Sequence, residues 1–219
     1  MFEFDFLPVG DGDRSGDAIA VRFTHPFTGS NVQVVIDAGF ETSGEALVEH
    51  VNQYYGTDVV DLALLTHPDG DHIGGMGTVV RGLRVRRLGL HRLAGHGGGS
   101  LRASPEVDEL IAVAHGQGTE VFEPFAGAQF FGGAVTILSP TEAWYEELVV
   151  SQVAEEDGRK AAAVEEPVLL EAASRRISRL LKAVGVAGIE IPFDDKGGPG
   201  PRNNSSMVTR SSWRDSAGC

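Results

Sequence analysis

An apolar segment that ends in a dense polar turn constrains this chain more than any other feature. Residues 59–66, VVDLALLT, form a short apolar run that predicts a buried strand. Residues 66–75, THPDGDHIGG, follow at once and hold four groups able to bind metal, namely His67, Asp69, Asp71 and His72. Imidazoles suit zinc and other first-row metals, and carboxylates suit harder ions such as manganese. The pattern predicts parts of two adjacent metal sites, and the alternative is a polar surface turn with two incidental histidines.

The composition places the chain among ordinary globular proteins. Its 219 residues are 42% apolar and 22% charged, which is enough for one sizeable core. The single cysteine, Cys219, is the last residue, so internal disulfides and thiolate metal cages are excluded. The sequence has no apolar stretch long enough to span a membrane, and MFEFDFLPVG lacks the basic region of a signal peptide. We therefore expect a cytoplasmic protein with no membrane partner; the sequence leaves its oligomeric state open.

The charge of the chain is strongly acidic but unevenly distributed. A net charge of −13 argues against broad coating of nucleic acid. Residues 72–105 nevertheless contain no acidic residue and several arginines. One interpretation is an ordinary solvated face, and the other is a rim that meets an anionic substrate beside the metal loop. For the second interpretation we single out Arg84 and Arg86.

Apolar periodicity predicts strands interleaved with helices. A chain of this kind is expected to fold as a layered α/β protein. Proline or glycine clusters separate the elements, and Ser104 and Thr141 stand where helix caps are expected. Strands are predicted at residues 2–6, 18–23, 32–37, 59–66, 84–91, 119–124 and 133–140, and helices at 44–56, 76–83, 104–115, from 142 onward and at 172–185.

Four stretches of the chain resemble the metallo-β-lactamase superfamily. THPDGDHIGG is similar to its His-x-His-x-Asp-His signature, with Asp69 in place of the second histidine. This variant resembles the one in the metallo-β-lactamase-like domain of the DNA-uptake protein ComEC and in its stand-alone relatives. PVGDGDRSGDAIAVRF at 8–23 resembles the opening Gly-Asp-Ala-Ile strand, VVIDAG at 34–39 the first motif, and NNSSMV at 203–208 the start of a later strand.

The resemblance implies an αββα sandwich and a centre with two divalent metal ions, zinc or manganese. His67 and Asp69 would bind one ion, and Asp71 and His72 the other. Asp71 would also orient the attacking metal-bound hydroxide. Asp37 of the first motif would lie beneath the loop and steady it.

Two asparagines and three histidines are less clearly assigned. Asn203 or Asn204 falls near the place where many superfamily members have a further ligand, although a turn before a strand is the commoner role of asparagine. The resemblance gives no role to His91, His96 or His115.

The C-terminal segment departs from the family pattern. The family continues with a Gly-Asp stretch and a His-His-Gly-Ser stretch, and TRSSWRDSAGC at the end of this chain has neither. We expect residues 1–208 to form an incomplete domain, lacking the C-terminal part of its second half, and residues 209–219 to be a non-family tail. A truncation and a shifted reading frame are both open explanations, and a weakly active or inactive chain would follow from either.

The function implied by the resemblance is metal-dependent hydrolysis of a phosphodiester or another anionic, nucleic-acid-like substrate. Two alternatives stay open. One is hydrolysis of a different ester or an amide, because this fold hosts several chemistries. The other is an inactive remnant that binds partners through the arginine-rich segment.

Overall fold

The structure, a computed structural model, describes residues 1–10, 15–96, 104–163 and 208–211. The chain divides into two compact units. The first comprises the described residues of Met1–Arg92, Ala103–Glu142 and Ser206–Cys219, and the second those of Leu93–Arg102 and Ala143–Ser205.

A six-stranded sheet forms the centre of the first unit. The first eight strands of the chain are β1 Phe2–Phe6, β2 Ala18–Thr24, β3 Asn31–Ala38, β4 Val59–Val60, β5 Leu62–Leu64, β6 Arg84–Val85, β7 Arg87–Gly89 and β8 Glu120–Phe122. In the six-stranded sheet they lie in the order β1, β2, β3, β5, β7, β8, with antiparallel pairing from β1 to β3 and parallel pairing from β3 to β8. The two short strands β4 and β6, which directly precede β5 and β7 in the chain, form a separate parallel pair.

The strand predicted at 59–66 is two strands in the structure. Asp61 interrupts it, because its backbone N–H donates to the Gln33 carbonyl and its carboxylate accepts the Gln33 N–H. The strand predicted at 84–91 is likewise divided at Arg86, whose N–H donates to the Val60 carbonyl. Each break lets the chain pass from the two-stranded pair into the large sheet.

Helices cover one face of the large sheet. They are α1 Glu41–His50, α2 Gly70–Ile73, α3 Met76–Gly82 and α4 Pro105–Gly116. A π-helical turn, Val51–Tyr55, continues α1 and ends at Gly56, whose positive φ of 67° suits a residue without a Cβ. The buried core beneath the helices includes Val35, Leu47, Ala63, Met76, Val79, Leu88 and Leu110.

A three-stranded sheet packs on the other face. It contains β9 Gln129–Phe130, β10 Val135–Ser139 and β11 Val208–Ser211 in the order β11, β10, β9. The buried residues between the two sheets include Phe23, Val34, Leu64, Phe130 and Ile137. The resulting helix, sheet and sheet layers confirm the predicted mixed α/β class. β11 continues to Ser211 and so extends into the segment predicted as a tail; the helix predicted at 172–185 lies outside the described residues.

In the second unit, the main described element belongs to α5, Glu142–Ala163. Its buried residues Tyr145, Val149 and Val153 recur every fourth position, which is the spacing of one helix face. His96 Nδ1 lies 3.4 Å from Glu146 Oε1 in this unit. Within the described part of the chain, none of the helices combines the length and apolar character needed to cross a bilayer.

Candidate metal site

The candidate site lies at the carboxyl ends of the central parallel strands. β3 and β5 run in parallel, so Asp37 near the end of β3 and the loop that follows β5 meet at the same edge of the sheet. His67 and Asp69 lie in the loop, whereas Asp71 and His72 lie on the single turn of α2. The Asp69 carbonyl accepts the backbone N–H groups of His72 and Ile73 at 2.9 Å each, and this turn brings the two halves of the motif together.

Asp37 is the buried anchor of the loop. It is only 1% exposed, and it adopts a positive φ of 54° that few residues other than glycine, asparagine and aspartate tolerate. Its Oδ1 accepts the Thr66 backbone N–H at 2.8 Å. Its Oδ2 accepts the Thr66 hydroxyl at 2.6 Å and His72 Nδ1 at 2.8 Å. The carboxylate therefore holds both the start of the loop and one of its imidazoles.

These hydrogen bonds determine where the two imidazoles carry their protons. The Asp37 carboxylate only accepts, so His72 Nδ1 donates and Nε2 keeps its lone pair. The Thr66 hydroxyl donates to Asp37 and can then only accept from His67 Nδ1, which lies 2.9 Å away. His67 Nε2 is left with a lone pair in the same way. In its neutral form each histidine therefore presents Nε2 as the ligand atom, with its other nitrogen hydrogen-bonded as metal-binding histidines usually are.

The donor atoms of the motif form two imidazole–carboxylate pairs. His67 Nε2 lies 3.6 Å from Asp69 Oδ2, and His72 Nε2 lies 3.9 Å from Asp71 Oδ2. The two ring centroids are 3.9 Å apart. Ligands bound tetrahedrally at about 2.1 Å from zinc stand roughly 3.4 Å from each other, so each pair is close to the separation that a first-row divalent ion requires. The residues present therefore fit metal binding.

The electrostatic environment differs for the two histidines. Burial lowers the pKa of His67, and the neighbouring His72 lowers it further. Burial also acts to lower the pKa of His72, but the hydrogen bond and charge of Asp37, together with the charges of Asp71 and Asp17, raise that pKa above its ordinary value. Near neutral pH, His67 is therefore the readier ligand, whereas a proton competes with metal at His72.

Sequence reasoning missed the contributions of Thr66, Asp17 and Gly16. The Asp17 carboxylate lies 3.9 Å from His72 Nδ1, and its backbone N–H donates to the Asp71 carbonyl at 3.3 Å. Asp17, Asp37 and His72 offer ligand atoms that all lie within 4.8 Å of one another. Gly16 has no room for a side chain, because a Cβ there would collide with the backbone of Asp71. The signals were present, since the Gly-Asp pair opens the strand motif at 16–19 and Thr66 immediately precedes His67.

The structure does not bring Arg84 and Arg86 to the loop. They lie in and just after β6, before β7 begins, and β7 runs parallel to β5. They are therefore at the amino ends of these strands, opposite the loop. Arg84 pairs with Asp58 at 3.1 Å and Arg86 with Asp61 at 3.0 Å.

The remaining candidates contribute no described ligand atom to the loop. Asn203 and Asn204 lie outside the described residues. His91 is part-buried, and its Nε2 donates to the Pro124 carbonyl at 2.7 Å.

The chain matches the model of one protein family. The family model of the metallo-beta-lactamase superfamily matches residues 12–142, which include the whole loop. None of the curated proteins compared with the chain matches it.

Several solved structures are similar to the chain at low sequence identity. A protein from Thermotoga maritima, named provisionally as a metallo-beta-lactamase, is 15% identical with a TM-score of 0.41 and covers 63% of this chain and 65% of its own. A metallo-beta-lactamase from Cronobacter sakazakii with substitutions in its HARLDQ motif is 20% identical with a TM-score of 0.36, covering 55% of this chain and 46% of its own. A metallo-beta-lactamase from Hirschia baltica is 15% identical with a TM-score of 0.34, covering 64% and 55%. The chain thus spans less than two thirds of the length of each.

Proposed function

The chain belongs to the metallo-beta-lactamase superfamily, and we propose that it is a metal-dependent hydrolase whose loop binds two divalent ions, zinc or manganese. The observation that carries this proposal is the pair of Nε2 lone pairs, each beside a carboxylate and each fixed through Asp37. Bound ions of this kind lower the pKa of water and stabilise negative charge on a substrate.

Each side chain of the loop has a distinct part in the proposal. His67 and Asp69 bind one ion, and Asp71 and His72 bind the other. The Asp71 carboxylate is part-exposed, so it also orients water by accepting a hydrogen bond. Asp37 is a positioning residue, because it acts only through the histidine tautomer and the start of the loop.

We propose a phosphodiester, as in a nucleic-acid-like molecule, as the substrate. The support is the aspartate at position 69, which resembles the loop variant of the ComEC domain and its stand-alone relatives. Hydrolysis of another ester or an amide is the second candidate, because the fold hosts several reactions. An inactive binding module has less support, since Arg84 and Arg86 of the arginine-rich segment are engaged in ion pairs with acids of the same chain.

Metal content and substrate choice can be tested separately. The chain, stripped of metal and then loaded with Zn²⁺ or Mn²⁺, is analysed for bound metal and assayed on bis(p-nitrophenyl) phosphate, a lactam and a thioester. We expect metal bound by the parent, little by His67→Ala, and the parent's amount by His115→Ala, which changes an exposed histidine on α4. Equal metal in His67→Ala and the parent would remove the loop from the proposal. Preference for the lactam or thioester would replace the phosphodiester and leave the metal site standing.

A further inference from the structure

A second cavity lies at the opposite end of the six-stranded sheet, within the first unit. Its volume is about 540 Å³, which lies within the range of small-molecule sites, about 300–1,000 Å³. Gln33, Asp61 and Arg86, near the amino ends of β3, β5 and β7, contribute to its lining, which also includes His25, Tyr55 and Phe131. The metal loop lies at the carboxyl ends of the same strands.

Gln33 is the observation that indicates a ligand. It is 7% exposed and lines the cavity. Its backbone N–H donates to Asp61 Oδ2 at 3.0 Å. No described residue, in contrast, forms a hydrogen bond with its side-chain carboxamide, and neither carboxamide atom is fully buried. The carboxamide is therefore available to a ligand that offers both a donor and an acceptor.

The charge beside Gln33 is balanced. Asp61 Oδ1 pairs with an Arg86 guanidinium nitrogen at 3.0 Å, and the Asp61 side chain is largely buried. The Arg86 side chain is exposed, so its other N–H groups remain available to a ligand. Because one positive and one negative charge cancel here, the cavity favours an uncharged polar ligand over a phosphate or a metal ion.

Aromatic rings form the other side of the cavity. His25 Nδ1 accepts the backbone N–H groups of Phe27 and Thr28 at 3.2 and 3.3 Å, so the neutral ring carries its proton on Nε2 as a donor. The Phe131 ring meets His25 edge-on, with centroids 6.3 Å apart. The rings of His25 and Phe131, which both line the cavity, offer an aromatic surface to a planar ligand.

We propose that this cavity binds a nucleobase, carried as a nucleoside. A nucleobase combines flat faces that stack on aromatic rings with a neutral edge of donors and acceptors. A glutamine carboxamide matches the adenine edge, to which it can donate and accept at once. The Gln33 carboxamide would pair with that edge while the rings of His25 and Phe131 contact the face of the base. The inference is independent of the hydrolase proposal, because it uses no residue of the metal loop.

Titration of the full chain with adenosine, followed by calorimetry and NMR, tests this inference. Adenosine has no phosphate, so it offers no anionic group to the metal loop. We expect saturable binding of one adenosine per chain and no saturable binding of ribose. Gln33→Leu and His25→Ala should each weaken binding about fivefold or more. His25 is only part-buried, so its variant reports on binding with little disturbance of the core.

Two control variants separate the cavity from other causes. Gln53→Leu changes an exposed glutamine that bonds Glu49, and it should bind adenosine as the parent does. Asp71→Asn should lose metal and keep adenosine binding. The inference is overturned if adenosine gives no saturable signal up to its solubility limit. It is equally overturned if ribose or inorganic phosphate binds as well as adenosine, or if both Gln33→Leu and His25→Ala bind as the parent does.

Discussion

Replacing Asp37 with asparagine should lower the metal affinity of the loop, because it changes the hydrogen bonds that orient His72. The Asp37 carboxylate accepts three hydrogen bonds, from the Thr66 N–H, the Thr66 hydroxyl and His72 Nδ1. Asparagine has nearly the same shape but keeps only one acceptor oxygen. If that oxygen retains the hydrogen bond from the Thr66 N–H, the new NH2 group faces the Thr66 hydroxyl and His72 Nδ1, which both donate in the parent chain.

The magnitude follows from those contacts. Hydrogen bonds to a charged group contribute about 1.5–3 kcal/mol each, so two lost bonds should destabilise the metal-free chain by about 3–6 kcal/mol. The cost falls if His72 moves its proton to Nε2 and accepts from the NH2 group at Nδ1. In that tautomer the proton occupies Nε2, the nitrogen that would bind metal. Loss of such an orienting partner weakens metal binding about 10- to 100-fold. Asp37→Ala should destabilise more, because it loses all three bonds and leaves a cavity.

Three measurements check this prediction. They are the free energy of unfolding in denaturant, the ¹⁵N shifts of the His72 ring without metal, and a Zn²⁺ titration. Asp17→Asn is the matched control, since this exposed carboxylate lies 3.9 Å from the same His72 nitrogen and accepts no hydrogen bond from it. Because the Asp17 charge also raises the pKa of His72, we expect the control to shift that titration slightly but to leave the His72 proton on Nδ1 and the free energy of unfolding nearly unchanged. Asp37→Asn that binds Zn²⁺ as tightly as the parent, with the His72 proton still on Nδ1, would refute the reasoning.

Three further predictions concern the same loop. Gly16→Ala should destabilise the chain by about 1–3 kcal/mol, because its Cβ would collide with the loop backbone, whereas Gly70→Ala meets no atom within 4 Å and should be neutral; equal melting temperatures for the two variants would contradict this. Thr66→Val keeps the shape but breaks the link from His67 to the buried carboxylate, so a metal titration should show roughly tenfold weaker binding. Burial opposes the raised pKa of His72 but the neighbouring carboxylates outweigh it. In the metal-free chain, the stabilising contribution of protonated His72 is therefore complete below about pH 6.5 and lost as the pH rises through the raised pKa. Metal affinity should increase over the same pH window, because the proton no longer competes for His72. NMR titration of the His72 ring checks the pKa, and a metal affinity that does not change with pH would contradict the prediction.

The proximity of the loop ligands was predictable because it is local. Four ligand residues within six positions, broken by Asp-Gly, must share one turn. Asp17 was not predictable in the same way, since it reaches His72 only through the packing of the β2 start against α2. The Thr66 hydroxyl relay also required the position of the buried Asp37 carboxylate.

Alternation along β1 predicted a strand, but it did not predict how much of the aromatic face of that strand is buried. Phe2 stacks on Phe23 with centroids 5.5 Å apart, as a half-buried strand should. Phe6, on the same face, is 74% exposed. The difference arises because Phe2 packs against the buried cluster between the two sheets, whereas Phe6 belongs to neither described core cluster. Periodicity reports which side chains share a face; it does not report whether another layer covers that part of it.

The position of the arginine segment depended on strand direction. Residues 72–105 contain no acid, and from sequence alone such a run can be a positive rim beside the loop. In the parallel sheet, however, the arginines around β6 and β7 stand beside acids that precede β4 and β5 or lie in and after β8. Where both partners are exposed, such a pair contributes little stability, about 0–1 kcal/mol, but every one of these pairs cancels charge. The pairs are Arg84 with Asp58, Arg86 with Asp61, Arg87 with Glu120 and Arg92 with Glu123. For these four arginines, a segment that is positive in sequence is neutral in the fold, because parallel pairing supplies its acids from distant parts of the chain.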